Sequence, residues 1–278
     1  MSVPGPVEDE RPLSTWGSGA YSLDATVAVD VVLKSAGPWV PAVLAVLKHL
    51  ERVGFTGAPR VVGDGQAPDG RMTATFVPGE SPHPGAWADD EVGRVGELLR
   101  ELHEATSTFV PPASAGWKPT WLREIKADGD TLIGHGDAAP WNIVGRGGRP
   151  EALIDWEFAG PIDRMTELGY AAWLNAQLHD DDIAERAGLP DAHGRARQLH
   201  AILDGYGLPS RRRADLIDHM IELAVHGARA EAMMANVTPD STAAVDEDGF
   251  PVLWAITWRT RSASWMMRNR ALLVTARG

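Results

Sequence analysis

The chain has no cysteine among its 278 residues, which excludes both a disulfide framework and a thiolate metal site. No apolar run reaches the length of a membrane span. The start, residues 1–12, is acidic and proline-containing where a signal peptide would be basic and then apolar, so a cytoplasmic location is expected. Positive charge is in short supply: 26 Lys and Arg stand against 38 Asp and Glu, a formal net charge of −12. Such a surface repels phosphate backbones, so no nucleic-acid partner is expected. It suits a cationic small molecule, and it equally promotes solubility. No internal repeat or low-complexity tract is present. The His-x-His and His-Glu-x-x-His patterns of metal-dependent hydrolases are missing too. At 44% hydrophobic residues the chain can still bury a large core, expected as two lobes.

What the sequence does contain is concentrated between residues 135 and 157. His135-Gly136-Asp137 is followed by Pro140-Trp141-Asn142, and then by Ile154-Asp155-Trp156-Glu157. Ile143-Val144 and Ala152-Leu153-Ile154 are apolar and strand-like, with the turn residues Gly145 to Pro150 between them. The predicted hairpin folds Asp155 back beside Asn142 and Asp137. A carboxylate to receive or orient an acceptor hydroxyl, with Asn and Asp oxygens to hold Mg²⁺ on nucleotide phosphates, are the parts phosphoryl transfer needs.

The pattern His-x-Asp-x4-Asn followed by Ile-Asp-Trp-Glu resembles the catalytic loop and metal-binding aspartate of the aminoglycoside phosphotransferase and choline kinase superfamily. These are protein-kinase-like enzymes acting on small molecules. Protein kinases share the Asp-to-Asn interval, but Pro140-Trp141 and Trp156-Glu157 resemble the small-molecule branch. The resemblance implies a bilobal, protein-kinase-like α+β fold: a small N-lobe of antiparallel sheet and a larger, mainly helical C-lobe, with nucleotide and Mg²⁺ in the cleft. It implies transfer of the γ-phosphoryl group of ATP or GTP to a hydroxyl of an antibiotic, amino sugar or related metabolite. Asp137 would be catalytic, Asn142 and Asp155 would bind the metal, and Lys34 would hold the phosphates. His135 would brace the loop, and Glu157 would support the metal shell. The alternative is a catalytically weak nucleotide-binding or immunity-type protein that sequesters a toxic small molecule.

Along the chain, residues 1–13 are expected to be a tail, 14–79 the nucleotide-binding N-lobe, and 80–278 the C-lobe with the acceptor pocket. Gly17, Ser18 and Gly19 form a turn ahead of a β-rich run ending at Lys34; such a turn lets backbone N–H groups approach phosphates. It is also an ordinary hairpin turn, and Lys34 by position is also a solvent-exposed strand end. Val43, Leu44, Leu47 and Leu50 mark a helix over residues 41–53. The resemblance places a glutamate partner for the lysine at position 43, where this chain has valine. Glu51 lies about 12 Å further along the axis at 1.5 Å per residue, too far to substitute. Residues 60–63 and 72–77 read as strands around the polar turn 64–70. The resemblance assigns the backbone of Thr75 to Val77 to the purine edge. A helix capped by Asp89 or Asp90 carries Val92, Val95, Leu98, Leu99 and Leu102, and ends at His103. Trp117, Trp121, Trp254, Trp258 and Trp265 read as packing residues, and residues 179–182 as a solvated loop. Gly160-Pro161 reads as a strand stop, followed by helices over 167–178, 195–206, 211–236 and 252–274. Asp215, Asp218 and Glu222 form one acidic helical stripe that faces either the cleft or solvent.

Overall fold

The computed structural model describes residues 11–12, 25–28, 30–246 and 249–275. Strands β1 (Arg11–Pro12), β2 (Ala25–Ala28), β3 (Val31–Lys34), β4 (Val61–Gln66) and β5 (Met72–Thr75) form one antiparallel sheet in the order β1-β2-β3-β5-β4. Helix α1 (Val40–Arg52) connects β3 to β4 and buries Val43, Leu44, Leu47 and Leu50, the apolar stripe read from the sequence, together with Val46. In β3, Val31 faces Thr75 and Lys34 faces Met72 on β5, while Lys34 faces Ala25 on β2. Lys34 therefore ends an interior strand of the sheet. β4 runs on through Asp64 and Gln66, where a turn was expected, and absorbs the extra residues in a bulge against β5.

Helix α2 spans Gly93–Thr106 with Val92 at its N-cap, two residues beyond Asp90, the nearer of the two expected aspartate caps. The amides of Glu91 and Val92 donate to Ala88 O in a preceding turn, and Asp89 instead accepts from Gln198. Leu98, Leu99 and Leu102 are buried on its inner face, each stabilising by roughly 1.5–3 kcal/mol. Helix α5 (Ala192–Tyr206) lies so close that a Cβ on Gly96 would sit 1.9 Å from Ile202 O. Any side chain there would push the two helices apart.

Strands β6 (Thr131–Gly134) and β9 (Gly160–Asp163) pair antiparallel, as do β7 (Ile143–Arg146) and β8 (Arg149–Leu153). Gly160-Pro161 thus lies within a strand, contrary to the expected stop. β9 has β6 as its neighbour on one side, so the N–H that Pro161 lacks falls on an open edge. Asp163 then caps helix α3 (Arg164–Asn175), its Oδ1 accepting from the amides of Met165 and Thr166 at 3.0 Å each.

Helices α4 (Asp181–Arg186), α6 (Arg213–Met234), α7 (Val252–Arg268) and α8 (Arg270–Thr275) complete the helical body. The expected last helix is two, broken at Asn269. Residues 180–182 are a clip: Asp180 binds Arg261 and Arg268, and Asp181 binds Arg195 and the Trp265 indole. One continuous core runs from Val43 in α1 to Leu273 in α8, with Trp173 and Trp265 fully buried in it. The acidic stripe lies on the outer face of α6, where Asp218 pairs with Arg270 and Glu222 is exposed. Among the described residues no helix is long and apolar enough to cross a membrane.

Candidate functional site

The stretch 135–142 leaves β6 and turns at Gly136, whose φ of +80° belongs to the left-handed region. A Cβ there would also lie 2.2 Å from Phe158 O, so glycine is required on both counts. The buried Glu167 of α3 anchors this turn: one carboxylate oxygen accepts from the Gly136 amide at 2.7 Å, the other meets His103 Nε2 at 2.7 Å. His103 Nδ1 in turn meets the Tyr206 hydroxyl at 2.7 Å. His103, expected to pack or cap, therefore belongs to a fully buried polar chain that supports the loop. Burial alone would raise the Glu167 pKa. The His103 contact and the Gly136 donor outweigh it and hold the carboxyl below its ordinary value.

His135 is buried, and its two ring nitrogens are assigned by their partners. Nδ1 accepts the Asp137 amide at 3.2 Å, so Nε2 is the protonated nitrogen, donating to Ile154 O at 2.8 Å. The ring also meets Trp156 edge to face. With both nitrogens engaged, it braces the loop against the hairpin.

The Asp137 carboxylate is held at both oxygens. Asn142 Nδ2 donates to Oδ2 at 2.8 Å, and the Tyr170 hydroxyl of α3 donates to Oδ1 at 2.8 Å. Burial raises the Asp137 pKa against the opposing effect of the Tyr170 hydrogen bond, and burial together with the Asp137 charge raises the Tyr170 phenol well above its ordinary value. Asn142 ends a 3-10 turn begun by Pro140, and its carbonyl accepts from the Ile154 amide at 2.9 Å. The β7–β8 hairpin thus sets Asp155 next to Asn142, as the spacing predicted. Asp155 has φ 60° and ψ 66°, a left-handed conformation that aspartate tolerates better than most residues and that clusters at functional sites.

Lys34 reaches across to this hairpin. Its Nζ is bonded to Asp155 Oδ1 and lies 3.3 Å from Glu157 Oε2. Burial alone would lower its pKa, but the two carboxylates outweigh it and raise the value. The other Glu157 oxygen binds Lys118 at 2.8 Å, and Lys118 sits over the rings of Trp39 and Phe158. Val43 is fully buried and lines the same cavity as Lys34, while Glu51 is exposed on α1. The lysine has its acidic partners on the hairpin in place of the helix.

Two hollows meet here. The first is bounded by Val32, Lys34, Val43, Ala74, Thr75 and Val77, and the second, of about 950 Å³, by Asp137, Trp121, Tyr170 and the ends of α6 and α7. Trp141, Asn142, Asp155 and Glu157 line both. Thr75 and Phe76 spend their amides on Arg60 O and Asp30 O. Gly17, Ser18 and Gly19 lie outside the described residues. Of the tryptophans expected to pack, Trp265 is buried in the core, Trp117 and Trp258 pack against it and Trp121 packs against a smaller cluster, while Trp121, Trp254 and Trp258 also line the larger cleft. Tyr170, Lys118, Glu231 and Arg259 also belong to the site's surroundings and carried no local signal in the sequence.

Among the described residues no group of three or more His, Asp and Glu could hold a metal by itself. Asn142 spends its amide nitrogen on Asp137, which leaves Oδ1 as an oxygen donor beside Asp155. Two hard oxygens fit Mg²⁺, which completes its shell with phosphate oxygens and water.

Residues 112–217 match the phosphotransferase enzyme family. Over 246 residues the chain is 48% identical to the trifolitoxin immunity protein of Rhizobium leguminosarum bv. trifolii, covering 88% of this chain and 92% of that one. Among solved structures, a microcompartment-associated aminopropanol kinase superimposes with a TM-score of 0.58 at 14% identity, covering 98% of this chain and 96% of the other. A choline/ethanolamine kinase family protein from Mesorhizobium loti gives 0.57 at 15% identity, covering 96% and 92%. At these identities the likeness is one of fold, and it is the bilobal, protein-kinase-like α+β arrangement.

Proposed function

The chain belongs to the phosphotransferase enzyme family, and on that premise we propose that it moves the γ-phosphoryl group of ATP or GTP onto a hydroxyl of a small molecule. The observation that carries this reading is the Asp137 carboxylate, fixed from both sides by Asn142 and Tyr170 and opening onto the larger cleft. The acceptor oxygen forms its bond to the γ-phosphorus while the bond from that phosphorus to the β,γ-bridging oxygen breaks. The electron pair leaves with the nucleoside diphosphate, and the hydroxyl proton passes to Asp137. Mg²⁺, held by Asn142 and Asp155, would neutralise phosphate charge.

The remaining roles follow from position. Lys34 contacts phosphates, Gly17, Ser18 and Gly19 cover them, and the backbone of Thr75 to Val77 meets the purine, chiefly at Val77. His135 braces the loop, and Glu157 supports Lys34 and the metal shell. The lobes divide at Pro78-Gly79, just before Glu80 exchanges two backbone hydrogen bonds with Gly145 of β7. The acceptor is an antibiotic, amino sugar or related metabolite met in the cytoplasm.

Asp137→Asn keeps the shape and removes the proton acceptor, so turnover should fall by roughly 10² to 10⁴. Nucleotide affinity should stay within a few-fold. Release of ADP or GDP, and mass-spectrometric detection of phosphate on the acceptor, provide the readout. Undiminished turnover in the variant would sink the assignment. The name of the immunity-protein relative also supports a second reading, in which a toxic molecule is bound and held. That reading requires stoichiometric binding with no nucleotide turnover.

A further inference from the structure

We propose that the acceptor has an uncharged, largely apolar body, and that the cleft beside Asp137 selects it by aromatic and methionine contact instead of by attraction of a polycation. This rests on the phosphotransferase reading and names the kind of hydroxyl compound that site takes. Size is the first argument. A cleft of about 950 Å³ stands at the upper end for drug-sized ligands. A small amino alcohol would leave most of it filled with water.

Lining is the second. Trp121, Tyr170, Trp254 and Trp258 line the cleft together with Met233 and Met234. Met233 is 59% exposed, Met234 66% and Trp254 46%, an unusual amount of apolar surface to leave in water. Exposed apolar patches of this kind mark binding grooves, and methionine reshapes itself to irregular ligands.

Charge is the third. A cationic acceptor needs a carboxylate free to meet it, since a desolvated ammonium without a counter-ion is costly. Away from the catalytic loop the cleft offers Glu124 and Glu231. Glu231 is spent on Arg259 at 2.6 Å, both side chains being under 15% exposed. Glu124 is exposed to water, which screens its charge, and the exposed Arg229 lines the same cleft. His179 is pushed down to about 3 by burial, with Arg195 and His83 adding to the effect, so it stays neutral. The acidic stripe of α6 does not line the cleft, and its Asp218 is tied to Arg270. An aromatic cage for a quaternary ammonium is also poorly served. Arg259 already lies over the Trp258 ring at 4.5 Å, and Trp121–Tyr170 and Tyr170–Trp173 meet edge to face.

The test is calorimetry on the full chain with Mg²⁺ and nucleotide, at low and high salt. The probes are an uncharged macrolactone polyol, an end-blocked peptide carrying Ser or Tyr between aromatic residues, kanamycin and choline. At least one neutral probe should bind about tenfold or more tightly than kanamycin and choline, independently of salt. Met234→Glu and Trp254→Ala, both at exposed positions, should each weaken it about tenfold. Tighter, salt-sensitive binding of kanamycin or choline would overturn the inference, as would failure of every neutral probe or indifference to both substitutions. Mass spectrometry keeps the two readings apart. Phosphate appearing on kanamycin removes this inference and leaves the phosphotransferase, whereas tight neutral-probe binding with no transfer to any hydroxyl removes the phosphotransferase reading and leaves the cleft's selectivity standing.

Discussion

Glu157 is the carboxylate whose loss should be most informative. Lys34 is bonded to Asp155, the proposed metal ligand, so its ammonium would compete with Mg²⁺ for that carboxylate. Glu157, 3.3 Å from the same Nζ, is where the ammonium can stay. Glu157→Gln keeps the shape and removes the charge, so Lys34 remains on Asp155 and competes with the metal. A hydrogen bond to a charged group is worth roughly 1.5–3 kcal/mol. Lys34 is 13% exposed and Glu157 21%, and Gln still accepts, so about 1–1.5 kcal/mol is the share lost. At 1.4 kcal/mol per factor of ten, the Mg²⁺ concentration needed for half-maximal nucleotide binding should rise roughly tenfold. Calorimetric titration of nucleotide at a series of Mg²⁺ concentrations measures this, and saturating Mg²⁺ should restore the parent affinity. Glu51→Ala is the control and should change nothing. An unaltered Mg²⁺ dependence in Glu157→Gln, or an equal loss from Glu51→Ala, would refute the reasoning.

Tyr170→Phe removes the donor that aims Asp137 Oδ1. Steady-state kinetics should show turnover reduced about tenfold, the lower end of a charged hydrogen bond, with the acceptor Michaelis constant little changed; a variant as fast as the parent would show that Tyr170 does not orient the base. Glu167 is held below its ordinary value near 4.5 in the fold, so its contribution to stability is complete above that value and disappears as the pH falls through the lower folded value. Thermal midpoints should therefore drop more steeply on acidification below about 4.5 in the parent than in Glu167→Gln, and parallel curves would count against the buried carboxylate. Val43→Glu places a carboxylate at a fully buried position and should destabilise the fold by at least about 2 kcal/mol in denaturant titration; a variant as stable as the parent would show that the glutamate reaches Lys34 after all.

The legible part of the site is the part that is local in sequence. Asp137, Asn142 and Asp155 lie within one loop and hairpin, and Ile143 facing Leu153 brings them together, while Glu167 and Tyr170 of α3 brace the loop from outside. The fold class followed from the same stretch by resemblance, and α1 and α2 from apolar spacing. Tyr170, Lys118, Glu231 and Arg259 could not be read, because each reaches the site from a separate element and its own neighbourhood looks like ordinary helix or loop. The tryptophans show the same limit. Trp254, Trp258 and Trp265 share one helix, yet Trp265 is sealed in the core while Trp254 stands in water at the cleft. Helical periodicity tells which residues share a face; it does not tell where that face runs off the end of the packed core.

The same distinction accounts for Val43. Read along the helix, valine at that position removes the partner of Lys34 and weakens the likeness to a kinase. In the folded chain the space under Lys34 belongs to the core, with Val43, Val46 and Leu47 all fully buried. A carboxylate placed among them would be desolvated on every side not facing the lysine. The hairpin supplies the charge from the opposite, wetter wall, where Lys118 balances Glu157 and the rings of Trp39 and Phe158 hold Lys118 in turn. Lys34 is thereby tied to the segment that carries Asp155, not to α1. Lys34 keeps its backbone place in the sheet through β3, so its ammonium links that sheet to the hairpin without passing through α1. Valine at 43 and glutamate at 157 are consistent as a pair, and a substitution at one is intelligible only with the other in view.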